Sequence, residues 1–263
     1  MATRDRRIAV LTENELATPS PHVSIGRSVT ILVGSGLLLA IALSLVGWAI
    51  VNLATPSAMT VWEDGVNEWF VVQRTPALDT VSQFASGLAN SNTCIAVLVV
   101  MVVALRVWLG RWRESVALFA AIVGELLIFV AVTAVVARPR PDVLQLDVAP
   151  PTSSFPSGHM GAAVAFYGCI AVIMVRQLRP RWFAVTISTF VFLIPVLVGV
   201  SRIYRGMHHP VDVIFGAVCG GVWLALVLTT LLPTMTVLRA KPQREIAKPV
   251  LAFDAKHNPR ESG

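Results

Sequence analysis

Two histidines and an aspartate sit among arginines in the stretch "SRIYRGMHHPVD", residues 201–212. Two further polar segments, "RPRPD" at 138–142 and "SFPSGH" at 154–159, share its character. Guanidinium groups present rigid forks of donors that match phosphate oxygens. A serine at a helix start, followed by glycine, adds free backbone N–H groups and the positive end of a helix dipole. Ser157 reads as an N-cap, and Gly158 permits close backbone approach. An oxyanion site is the common reading of these residues.

The histidines supply chemistry beyond binding. His208 and Asp212 are four residues apart, so on a helix starting near His208 they share a face, and the carboxylate can accept a hydrogen bond from one ring nitrogen. That bond would fix the tautomer and leave the other nitrogen free to attack phosphorus. Pro210 fits the first turn of such a helix, where a missing N–H is no loss. His159, from a separate segment, is placed to protonate a leaving oxygen and then to activate water. His209 is expected to point elsewhere. A zinc site would need three or four ligands and no ring of cations, whereas arginines outnumber carboxylates here.

The elements that must hold these residues are membrane helices. Of 263 residues, 55% are hydrophobic and 14% charged. Crossing a hydrocarbon core of about 30 Å takes about 20 apolar residues. Six runs qualify, near 29–53, 92–109, 115–137, 159–175, 182–200 and 211–232. The first is too long for a signal-peptide core and lacks a small-residue cleavage site, so it reads as an anchor.

Basic residues concentrate on one side: Arg4, Arg6, Arg7 and Arg27, then Arg106, Arg111 and Arg113, then Arg176, Arg179 and Arg181, then six more from Arg239 to Arg260. Short Lys- and Arg-rich loops stay cytoplasmic. Both termini are therefore expected in the cytoplasm, with the three polar segments outside. The net charge of +6 is spread over these separate segments, which argues against nucleic acid as a partner. No repeat relates the first three spans to the last three, which argues against an inverted-repeat transporter.

Residues 1–27 and 233–263 read as flexible cytoplasmic ends flanking a membrane domain at 28–232. Between Thr55 and Ser91, Trp62, Val66, Trp69 and Phe70 fall on one helical face opposite Glu63, Asp64, Asn67 and Glu68. This predicts a helix at the outer interface or packed over the bundle. "GAVCG" at 216–220 predicts close helix packing. Cys94, Cys169 and Cys219 sit in or beside apolar runs and read as small core residues. Glu125, near the middle of span three, should face the bundle interior.

Taken together, the motifs resemble the type 2 phosphatidic acid phosphatases, a superfamily shared with the vanadium haloperoxidases. Its signature runs Lys-x6-Arg-Pro, Pro-Ser-Gly-His, and Ser-Arg-x5-His-x3-Asp. The second part is matched by Pro156, Ser157, Gly158 and His159, and the third by Ser201, Arg202, His208 and Asp212. In the first, Arg140 and Pro141 match, while Thr133 stands where the family has lysine. The resemblance covers roughly 29–232.

It implies an all-α bundle of six transmembrane helices with an extracytoplasmic active site, and hydrolysis of a phospholipid or polyprenyl phosphate or diphosphate through a phosphohistidine. His208 is the implied nucleophile, Asp212 its orienting partner and His159 the general acid and base. Arg140, Arg202, Ser157 and Gly158 are implied phosphate ligands, with Arg138, Arg205 and Thr133 as further candidates. No metal or cofactor is implied; the implied partners are the lipid substrate and membrane lipids. The alternative is a non-catalytic lipid-phosphate binding or transport protein that keeps the pocket. Thr133→Lys separates the two in a phosphate-release assay: a large gain marks the native pocket as compromised, and no gain marks the missing charge as replaced.

Overall fold

The computed structural model describes residues 25–53 and 57–232. The expected flexible ends at 1–27 and 233–263 lie outside the described residues, apart from Ile25 to Arg27. Among the described residues the chain forms eight helices and no strand: α1 (Ile25–Leu53), α2 (Ala58–Val72), α3 (Pro76–Gly87), α4 (Ser91–Leu109), α5 (Arg113–Thr133), α6 (Gly158–Gln177), α7 (Arg181–Tyr204) and α8 (Pro210–Leu231).

Six of these, α1 and α4 to α8, are long and apolar enough to span a bilayer, and they coincide with the six expected runs. Three ends differ from expectation by four residues: α1 begins at Ile25 rather than 29, and the other two lie beside the motifs. α5 stops at Thr133 rather than 137, ahead of Arg138-Pro139-Arg140-Pro141, where pre-proline sterics disfavour continued helix. α7 continues to Tyr204 rather than 200, so Ser201 and Arg202 emerge from its last turn and not from a free loop.

Helix α6 is the most enclosed, packed against α5, α7 and α8. Half of its buried residues, Gly161, Ala163, Ala165, Gly168 and Ala171, are small and let neighbouring backbones approach. On α8, Gly216 and Gly220 touch that backbone directly. A Cβ at 216 would stand 2.4 Å from the Ser157 carbonyl, and one at 220 would stand 2.4 Å from the Gly161 carbonyl. The "GAVCG" stretch is thus a packing motif, as expected. Trp223 seals the other side of α8 by donating from Nε1 to the Ala120 and Ala121 carbonyls, both at 3.1 Å. The three cysteines are buried and free, also as expected.

The short helices α2 and α3 join α1 to α4, and with the α5–α6 and α7–α8 connections they form one end of the bundle. α3 packs on α7, and α2 on α7 and α8. Helix α2 is the helix expected between Thr55 and Ser91, and its faces are unequally buried. Glu63 and Asn67 are turned inward at 0% and 1% exposure, while Trp62 and Trp69 face out at 51% and 57%. Glu63 and Asn67 have buried partners that periodicity does not reveal, while Asp64 and Glu68 stay exposed with the tryptophans.

Replacing Gly220 by alanine forces the α6–α8 backbones apart, and overpacking of this kind costs about 1–3 kcal/mol. Thermal unfolding of the detergent-solubilised protein should register the loss.

Candidate active site

The site grows from the start of α8. His209 is the N-cap, Pro210 is the first helical residue and Asp212 the third. Asp212 Oδ2 accepts the His209 backbone N–H at 2.9 Å and the Ser154 hydroxyl at 2.6 Å. His209 Nδ1 lies 3.3 Å from the same oxygen. Oδ1 pairs with Arg138 Nη1, and the Asp212 carbonyl accepts the Ser157 N–H at 2.9 Å. One fully buried carboxylate therefore ties the α7–α8 turn to both parts of the α5–α6 connection.

His208 precedes the N-cap, so the one-face argument for His208 and Asp212 does not apply. Its Nδ1 is 3.9 Å from Asp212 Oδ2 and only 2.8 Å from the Ser154 carbonyl. A carbonyl can only accept, so Nδ1 carries the proton and Nε2 the lone pair. Asp212 acts on this ring through Ser154, whose hydroxyl it binds. His209, set aside in the sequence reading, instead lies against Asp212. Burial pushes His208 down to about 3, against the opposing pull of Asp212, and Arg202 and Arg140 push it the same way as burial. The imidazole is neutral across the neutral range.

Arg138 does not stand at the rim. Its guanidinium is enclosed between Asp212 and Glu63, with Nη2 2.6 Å from Glu63 Oε2. Burial works against the charge, but the two carboxylates outweigh it and hold the pKa above its ordinary value. Glu63 Oε1 also accepts the Val211 N–H at 3.1 Å, and Asn67 Nδ2 donates to the His208 carbonyl at 3.3 Å. Helix α2 thereby grips the histidine turn from outside.

Arg205 is likewise consumed, pairing with Asp147 at 2.6 Å and donating to Ser82 at 3.0 Å. Asp147 also takes Arg202 Nη1 at 2.9 Å. Burial raises the Asp147 pKa, but the two arginines outweigh it and the net shift is downward.

Between these groups lies a cavity of about 610 Å³. Its polar end is formed by His208, His159, Gly158, Arg140, Arg202, Asp147 and Thr152; its apolar end by Cys94, Ile95, Ile122, Leu126, Phe129 and Ala162, with Glu125 among them. Arg140 Nη1 donates to the Met207 carbonyl at 2.7 Å, and burial lowers its pKa. Arg202 Nε and Ser157 Oγ are buried without partners. His159 Nε2 is 2.9 Å from Asn90 Oδ1, a partner that the sequence reading did not consider.

Ser157 is the N-cap of α6 as expected, although its hydroxyl makes no capping bond. Thr133 does not line the cavity; its hydroxyl turns back to the Phe129 carbonyl at 3.0 Å. It stands four residues beyond Phe129, on the face that carries Ile122 and Leu126 to the cavity wall. Two guanidiniums, one neutral imidazole with a free nitrogen and a second histidine thus share one concave space. Such a set can bind a phosphoryl group, attack it and protonate its leaving oxygen.

Truncating Glu63 to alanine strands Arg138 as a buried, half-paired charge, and breaking such a pair costs about 3–5 kcal/mol. A lower unfolding temperature than wild type is the readout, with Asp64→Ala on the same helix as the control.

A sequence model of the PAP2 superfamily matches residues 114–234. The chain is 28% identical over 158 residues to phosphatidylglycerophosphatase B of Bacillus subtilis, covering 59% of this chain and 75% of that protein. It is 28% identical over 128 residues to the lipid A 1-phosphatase of Rhizobium etli, covering 45% of this chain and 48% of that protein. Its backbone is similar to the crystal structure of a transmembrane PAP2-type phosphatidylglycerolphosphate phosphatase from Bacillus subtilis, with a TM-score of 0.62 and 26% identity over 73% of this chain and 93% of that one. The matched residues run through α5 to α8 and the connections that carry all three motifs, and over them the chain resembles the PAP2 superfamily.

Proposed function

We propose that this protein is an integral-membrane lipid phosphatase that works through a phosphohistidine on His208. The observation that carries the reading is the 2.8 Å contact from His208 Nδ1 to the Ser154 carbonyl, which commits the proton to Nδ1 in a ring that lines the cavity. Relatives that act on phosphatidylglycerophosphate and lipid A support the substrate class.

In the first step the Nε2 lone pair attacks phosphorus and the bond to the lipid oxygen breaks. His159, carrying its second proton when the anionic phosphate is bound, gives that oxygen the Nε2 proton that Asn90 Oδ1 accepts in the present structure, and is left neutral. In the second step water attacks phosphorus, the phosphorus–nitrogen bond breaks and returns its electron pair to His208 Nε2, and the water's proton passes to His159. Inorganic phosphate leaves and both histidines are restored. Arg140 and Arg202 hold the equatorial oxygens through both steps, where their charge counters what accumulates in the transition state. Ser157 and Gly158 add the start of α6 to the same cradle.

The substrate is a phosphomonoester or diphosphate of a phospholipid or polyprenyl lipid. Its tails stay in the bilayer beside the apolar wall of the cavity, and its headgroup reaches the arginines. The positive-inside distribution supports an orientation with the termini in the cytoplasm and this end of the bundle facing outward.

Phosphate release from phosphatidic acid or phosphatidylglycerophosphate should persist in excess chelator and fall by roughly a thousandfold or more in His208→Ala. Turnover surviving in that variant at near wild-type rate would refute the mechanism.

A further inference from the structure

Two carboxyl groups line the cavity, and they are treated differently. Asp147 is paired with Arg202 and Arg205. Glu125 is 2% exposed and, among the described residues, has neither an ion pair nor a hydrogen bond. Its surroundings are built around it. A Cβ on Gly161 would stand 2.0 Å from Glu125 Oε1, so the absence of a side chain there is what lets the carboxyl cross from α5 to the α6 backbone. Gly161 lies three residues, or about 4.5 Å along the axis, below Gly158. Around it the wall is Ile122, Leu126, Phe129 and Ala162, and the nearby Cys94 thiol donates to the Leu88 carbonyl.

An unpartnered polar group enclosed in apolar surroundings is costly, more so at membrane depth. A carboxyl in that position, facing a cavity, calls for a donor that arrives with the ligand. Protonated or ionised, it keeps an acceptor oxygen for a hydroxyl.

We propose that Glu125 forms a headgroup subsite one helical turn below the phosphoryl cradle, accepting a hydrogen bond from a free hydroxyl of a polyol that links the scissile phosphate to the lipid. The inference rests on the lipid-phosphatase reading above and names the substrate class for it. A glycerol bridge with a free hydroxyl satisfies the subsite. Phosphatidic acid and polyprenyl diphosphates carry no such hydroxyl and leave the carboxyl unpaired. A site built to bind a hydroxyl discriminates strongly against an analogue that lacks it.

The test compares the purified full chain with Glu125→Leu and Glu125→Gln in mixed micelles of phosphatidylglycerophosphate or phosphatidic acid. Glu125→Leu should lower kcat/KM for phosphatidylglycerophosphate about tenfold more than for phosphatidic acid. Glu125→Gln, which keeps an acceptor oxygen, should recover most of the difference. Equal losses on both lipids, or none on either, overturn the proposal. Should the wild type release phosphate from neither lipid, the phosphatase reading fails, and thermal stabilisation by each lipid decides the subsite. Greater stabilisation by phosphatidylglycerophosphate, lost in Glu125→Leu, supports the subsite; equal stabilisation in wild type refutes it.

Discussion

The enclosed contact of Asp212 with Arg138, completed by Glu63, is the constraint on which the rest of the site depends. Neither charge is tolerable alone at that depth, because removing one partner leaves an uncompensated ion. Each of the three residues comes from a different stretch of chain: the α2 helix, the α5–α6 connection and the first turn of α8. Pairing them brings those stretches to one place, and the Ser154 hydroxyl on Asp212 carries the constraint to His208. Orientation of the imidazole is thus an outcome of charge pairing two bonds removed from it.

A division of labour among the arginines follows. Arg138 and Arg205 are satisfied by carboxylates and serve the architecture, while Arg140 and Arg202 reach the cavity. Arg202 keeps its Nε without a partner although one terminal nitrogen is held by Asp147 and Ser86. The guanidinium is anchored at one edge and leaves a donor unsatisfied at another, as the proposed cradle requires. With position 133 occupied by threonine, the proposed cradle draws its positive field from these two guanidiniums and the start of α6.

Much of this was legible in the sequence because hydropathy and motif spacing are local properties. All six membrane helices were located from runs of apolar residues, and the three polar segments met at one end as the alternation of spans requires. The contacts that were missed are long-range and made by ordinary-looking residues. Glu63 is one acidic residue among several on an amphipathic helix, and nothing local marks it as the partner of Arg138. The His208–Asp212 spacing suggested a direct bond, but α8 begins at Pro210 and places His208 outside the helical register. Ser154 and Asn90 carry no signature of their own, since a backbone carbonyl and an amide oxygen become partners only once the chain has folded.

The glycine contacts between α6 and α8 bear on how this site can change over evolutionary time. Where Gly216 meets the Ser157 carbonyl, the gap between the PSGH segment and the histidine turn is set by main chain against main chain. No small substitution retunes it, since even one methyl group moves a whole helix. The wall supplied by α4 and α5 is made of side chains with space before them, and there each residue can be exchanged singly. Single exchanges are thereby easier on one side of the cavity, while the side that carries His159 and His208 is held by its own backbone.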